Sequence, residues 1–156
     1  WVMLSAHYRA PLNINEEAIE TAKKELNRVA TAMKQAYVKL NLADVAVAEA
    51  YDETQLAPFL DAMQDDLNTP NAFAAVFETV KVLNQTLRQR DADLNAVAAL
   101  VHTLEKMMEV LGIDIPRLTM CEEDKQLHKL WKAAVKEKDF ATADQYRAQL
   151  IEKGIL

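Results

Sequence analysis

IETAKKELNRVATAMKQAYVKL, residues 19–40, decides the fold class. Ile19, Ala22, Leu26, Val29, Met33, Ala36 and Leu40 follow one another at alternating steps of three and four residues. That spacing puts all seven on one face of an α-helix and on no face of a strand. Lys23, Lys24, Arg28, Lys34 and Lys39 lie between them and read as the solvated side. Asn15 precedes Glu16 and Glu17, which predicts an N-cap followed by acids where the helix dipole favours them.

Working outward, the same period recurs. Leu94, Val97, Val101, Leu104, Met108 and Leu111 form a second unbroken stripe. Gly112 then supplies a left-handed stop, with Ile113 placed to fold back. Phe73, Val76, Phe77, Val80, Leu83 and Leu87 form a third, opened by Thr69 as the expected N-cap and Pro70 at the first helical position. A shorter helix is predicted over 54–64, with Leu56, Phe59, Leu60 and Met63 on one side and Pro58 tolerated near its start. Residues 41–53 break the period and read as a connection, and 88–93 as a loop. The first ten residues read as the tail of a helix that Pro11 stops. Residues 114–121 read as a linker. Beyond it Leu127, Leu130, Trp131, Ala134 and Val135 form one arm of a hairpin. Phe140, Ala143, Tyr146, Leu150 and Ile151 form the other, with Asp139 as its cap and Gly154 closing it.

Composition agrees. Two Gly and four Pro in 156 residues leave too little turn punctuation for a sandwich or barrel. Half the chain is apolar (51%) and 27% charged, which separates it from disordered and membrane-spanning sequences. The expected architecture is all-α: a four- or five-helix antiparallel bundle over residues 1–113, a linker over 114–121 and a helical hairpin over 122–156. Cys121 stands alone, so no internal disulfide forms and a reducing, cytoplasmic setting is expected. Trp1 in place of Met suggests a piece of a longer polypeptide.

Motifs of self-contained chemistry are missing. His7, His102 and His128 lie far apart, with no HExxH or ExxH element. Cys121 and His128 are two ligands where a structural zinc needs four. Asp61, Asp65 and Asp66 cluster without a histidine, and there is no glycine-rich phosphate loop. Neither a catalytic residue nor a metal site is expected in the chain.

Charge has a direction, however. The chain carries a net −6, but 119–156 holds seven basic and seven acidic side chains against 11 and 17 in 1–118. Lys125, Lys129, Lys132 and Lys136 fall at i, i+4, i+7 and i+11, one line along a helix, and Lys138 extends it. On spacing alone such a line is a solvated face.

Three stretches together carry a resemblance. His7-Tyr8-Arg9-Ala10-Pro11-Leu12-Asn13 resembles the HYRSPLN segment of cysteinyl-tRNA synthetases. Asp65-Asp66-Leu67-Asn68-Thr69-Pro70 resembles that family's DDxNTP helix start, and Trp131 to Ile155 is similar to its C-terminal hairpin. Order and spacing match across essentially the whole chain. The sequence departs from the pattern in ending at Leu156, without the basic and aromatic tail that often follows.

The resemblance implies the region after the catalytic domain of a class I aminoacyl-tRNA synthetase: a DALR-type helical bundle that contacts the tRNA stem, then the start of the anticodon-binding region. It implies that the parent enzyme uses ATP and zinc to adenylate cysteine and transfer it to tRNA(Cys), while this part has the tRNA and its own catalytic domain as partners and is expected to be monomeric. With the resemblance, the Lys125, Lys129, Lys132, Lys136 and Lys138 line becomes the candidate RNA contact. Arg147, Arg9 and Asn68 are secondary candidates, Arg9 having an alternative as an ion-pair partner and Asn68 as a cap. A protein-interaction module of the DNA-repair coupling hairpin type is the competing reading.

Overall fold

The computed structural model describes all of residues 1–156 and contains helices without a strand. Four helices make the bundle: α1 (Glu16–Leu42), α2 (Glu53–Gln64), α3 (Thr69–Arg88) and α4 (Leu94–Val110). Two more, α5 (Glu122–Glu137) and α6 (Phe140–Glu152), make the hairpin. Asn15 caps α1 by accepting from the Ala18 N–H at 2.8 Å, and Asp93 caps α4 from Asn95 at 2.9 Å. Gly112 takes φ +71°, and the Ile113 N–H donates to the Met108 carbonyl at 2.9 Å, the fold-back that ends α4.

The apolar stripes meet in one core. Val29, Met33 and Leu40 of α1 close on Phe59, Val76, Val80, Leu83, Val97, Val101 and Leu104, all essentially without solvent contact. Ile19, the first residue of the α1 stripe, stays 39% exposed. The reason is length: 27 helical residues span about 40 Å, against about 25 Å for the 17 of α4, so the first turns of α1 outreach their neighbour. Leu60 of α2 is also turned outward, because the helix seats itself on Phe59 and Ala62. Pro58 is the sixth residue of α2, deeper than expected.

Two expectations are corrected. The N-terminal segment is not a helix tail beyond a single 3-10 turn at Val2–Leu4. Tertiary contacts hold it instead as a strap. Trp1 stacks on Phe73 at 4.4 Å and donates to Glu25 at 2.7 Å, and the Thr69 hydroxyl donates to the Ala6 carbonyl. The cap of α3 is Asn68, one residue before the expected Thr69: its side-chain oxygen accepts from the Asn71 N–H, and Thr69 becomes the first helical residue.

The hairpin docks on a second face of α1. Val38 and Leu42 pack with Leu118, Met120, Leu127, Trp131, Leu150 and Ile155. Asn41, between them, donates to the Leu118 carbonyl at 3.0 Å and accepts from the Met120 N–H at 3.1 Å. Lys34, two turns earlier, donates to the Leu156 carbonyl at 3.0 Å. Lys34, Val38, Asn41 and Leu42 share one side of the helix, so α1 serves the bundle with one stripe and the hairpin with another.

Candidate nucleic-acid interface

The hairpin owes its shape to three local signals. The Asp124 carboxylate accepts from the Cys121 N–H at 3.2 Å and starts α5. Lys138 takes the left-handed conformation at φ 62° and ends it. Asp139 accepts from the Thr142 N–H at 3.2 Å and starts α6. Burial of His128 and Ala134, with Trp131 edge-on to the His128 ring at 5.3 Å, sets which side of α5 faces inward. Lys129, Lys132, Lys136 and Lys138 then face water and make no ion pair. Arg147, on α6, is likewise exposed and unpaired.

Lys125 departs from this line. It is 9% exposed, and its ammonium donates to Asp44 and, at 2.7 Å, to Glu122. Those hydrogen bonds hold the Asp44 carboxyl below the usual range and the Lys125 ammonium above its own. The structure therefore places Lys125 in the joint between hairpin and bundle, not on the exposed line. Asp44 itself sits at φ 55° just past α1, 81 positions away in sequence. Nothing in the local pattern marks it as a partner. Lys153 pairs with Asp124 at 2.7 Å and ties the two arms together.

The secondary candidates Arg9 and Asn68 come together at a different corner. Asp66 and Leu67 both take left-handed φ values, 53° and 54°, in the turn between α2 and α3. Such angles are costly for residues with a Cβ. The strap compensates: Tyr8 donates to the Asp66 carboxylate at 2.8 Å, Arg9 to the same oxygen at 3.2 Å, and the His7 ring lies 3.1 Å from the Asp66 carbonyl. Asn68 then caps α3. The HYR and DDLNTP stretches, 57 to 59 residues apart by these contacts, are thus two halves of one clamp. Arg9 and Asn68 both have structural work there.

A cleft of about 540 Å³ lies beside α4 and is lined by Tyr51, His102, Glu105, Glu109, Asp114 and Arg117 among others. Arg117 donates to Glu105 from two of its nitrogens, Nε and Nη2, and Lys106 pairs with Glu109 at 2.9 Å. With its cations spent on its own acids, the cleft is a poor cradle for phosphate. No three His, Cys, Asp or Glu side chains gather as metal ligands anywhere in the chain. Cys121 is exposed and has no such companions, so the residues present do not fit the zinc site that the family resemblance ascribes to the parent enzyme. No helix is long and apolar enough to cross a membrane.

Residues 58–115, from within α2 to the linker after α4, match the DALR domain family. Over its full length the chain is 32% identical to a cysteine–tRNA ligase of Mesoplasma florum, covering 35% of that protein. It is 34% identical, over 99% of its length, to the Geobacillus thermodenitrificans cysteine–tRNA ligase and covers 34% of it. The Brevibacillus brevis cysteine–tRNA ligase is 35% identical over 99% of the chain, with 35% of that protein covered. Along its whole length the chain is similar to cysteine–tRNA ligases. It spans about a third of the length of the cysteine–tRNA ligases it matches, in their C-terminal part. The DALR match stops before the hairpin, whereas the whole-length matches include it.

Proposed function

We propose that this chain is the part of a cysteine–tRNA ligase that holds tRNA(Cys), in the cytoplasm and as a monomer, while the rest of the enzyme attaches cysteine. ATP and zinc would serve that other part, where cysteine is adenylated and then transferred to the tRNA 3′ end. The observation that carries the proposal is a local reversal of charge. Residues 129–151 hold five cations, Lys129, Lys132, Lys136, Lys138 and Arg147, against Glu137, Asp139 and Asp144, within a chain of net −6. None of the five is neutralised by an ion pair, so all five are free to displace counterions from a phosphate backbone. The bundle, DALR-like over 58–115, supports that face; a domain division at the 114–121 linker, with stem contacts on the bundle side, belongs to the same proposal.

Filter binding of tRNA(Cys) to the full-length protein tests this. Changing Lys129, Lys132 and Lys136 to Glu should lower affinity about tenfold or more at low salt and flatten the salt dependence by about two units of log–log slope. Unchanged affinity and slope would remove the hairpin from tRNA binding. The dimerisation reading has one observation in its favour, the exposure of Leu130, Val135, Phe140 and Ile151. A tight dimer in sedimentation, insensitive to tRNA, would favour it.

A further inference from the structure

The strap before α1 is pinned to the bundle at two points. At its start Trp1 stacks on Phe73 at 4.4 Å, meets Phe77 edge-on at 6.0 Å and donates to Glu25 at 2.7 Å. Arg28 of α1 lies over the same Phe77 ring at 5.4 Å, so one aromatic cluster ties the strap to α1 and α3 together. Further on, Tyr8 and Arg9 fasten the strap to Asp66 in the turn between α2 and α3. Two anchors on a packed bundle fix a direction as well as a position, where one would leave a swivel.

The rest of the strap is uncovered. Met3 is 77% exposed and Ile14 57%, and Tyr8, Leu12 and Ile19 are exposed with them. Five of the fourteen exposed large apolar side chains thus lie in the first nineteen residues. A cleft of about 350 Å³ between strap and α1, with Ser5, Asn13 and Thr21 in its lining, adds to this surface. Apolar side chains exposed singly need no explanation, but their concentration at one end of a molecule marks an interaction surface. The occupant follows from length. The cysteine–tRNA ligases that match carry about two-thirds of their sequence outside the matched C-terminal part. We infer that the strap is a rigid coupler: the preceding region of the same polypeptide, joined at Trp1, packs on Met3, Leu12, Ile14 and Ile19, and Trp1 is a positioning residue that fixes the angle between that region and the bundle. This rests on the tRNA ligase reading above. It adds that the angle set at Trp1 decides whether the 3′ end of a held tRNA reaches the site where cysteine is activated. Misplacement there is costly in rate, because transfer needs the reacting atoms nearly in contact.

The test compares two reactions of the full-length protein: cysteine-dependent ATP–pyrophosphate exchange, which needs no tRNA, and cysteinylation of tRNA(Cys). Trp1→Ala should lower kcat for cysteinylation about 10- to 100-fold, with exchange and tRNA(Cys) affinity within about twofold of the parent. Trp1→Phe, which keeps a ring on Phe73, should recover most of the loss. Met3→Asp leaves the bundle contacts in place and should produce the same split by weakening the apolar docking. Three results would overturn the inference and leave the tRNA ligase reading standing. Exchange and cysteinylation could fall equally, which would make the role merely structural. Binding of tRNA could weaken at unchanged kcat, which would put the strap on the RNA-binding face. Trp1→Ala and Met3→Asp could both charge tRNA like the parent, which would mean that nothing covers the strap. A parent protein that neither binds nor cysteinylates tRNA(Cys) would remove that reading itself, and the inference with it.

Discussion

The bundle and the hairpin are built on opposite economies. The bundle encloses 21 buried core residues, all of them apolar or aromatic. The hairpin encloses three, Met120, Leu150 and Ile155, and borrows Val38 and Leu42 from α1 to complete them. What the hairpin lacks in apolar burial it replaces with directional contacts: Asn41 on the linker backbone, Asp44 on Lys125, Lys34 on the Leu156 carbonyl. Hydrophobic burial is non-directional, whereas hydrogen bonds fix an angle. The bundle therefore supplies stability, and the joint supplies orientation. The proposed RNA contact needs the second, because cations act only where the phosphates are.

Damage to the bundle should be the larger. Leu104→Ala removes a fully buried side chain from the middle of α4, and chemical denaturation should register a loss of about 2–5 kcal/mol. Asn41→Ala leaves the Leu118 carbonyl and the Met120 N–H without their partner, at about 1–3 kcal/mol. Hydrogen exchange should then speed up in α5 and α6 and hardly change in α3 and α4. Uniform acceleration throughout would show that the two regions unfold as one and would break the comparison.

The smallest effect concerns pH. Burial, and then the charge of Lys132, push the His128 imidazole below its ordinary value of 6.5. The folded state therefore takes up the proton less readily than the unfolded chain. The hairpin keeps its full stability above about pH 6.5 and loses it as the pH falls through that value toward the lower folded pKa. His128→Gln should flatten this dependence in hairpin exchange rates between pH 7 and 5, and Asp44 and Asp124, whose carboxyls are held below the ordinary 3.8, should matter only in stronger acid.

The helices were legible because their signals are local. The α1 and α4 stripes, Gly112 as a stop and Asp139 as a cap each depend on neighbours within a turn or two. The failures depend on distant partners. No window around Trp1 announces Phe73, and none around Lys125 announces Asp44. The lysine line was legible as a spacing, but which of its members remains free is a tertiary property. Phe140 shows the same limit from the other side: period places a residue on a helix face and does not say whether anything covers it.

The most direct test of the division between scaffold and contact surface is hydrogen–deuterium exchange of the full-length protein with and without tRNA(Cys). Protection should concentrate in residues 126–147, across the exposed lysines and the hairpin tip, with the cleft around His102 and Arg117 unaffected. Protection confined to α2, α3 and α4, with the hairpin exchanging as it does without RNA, would contradict it.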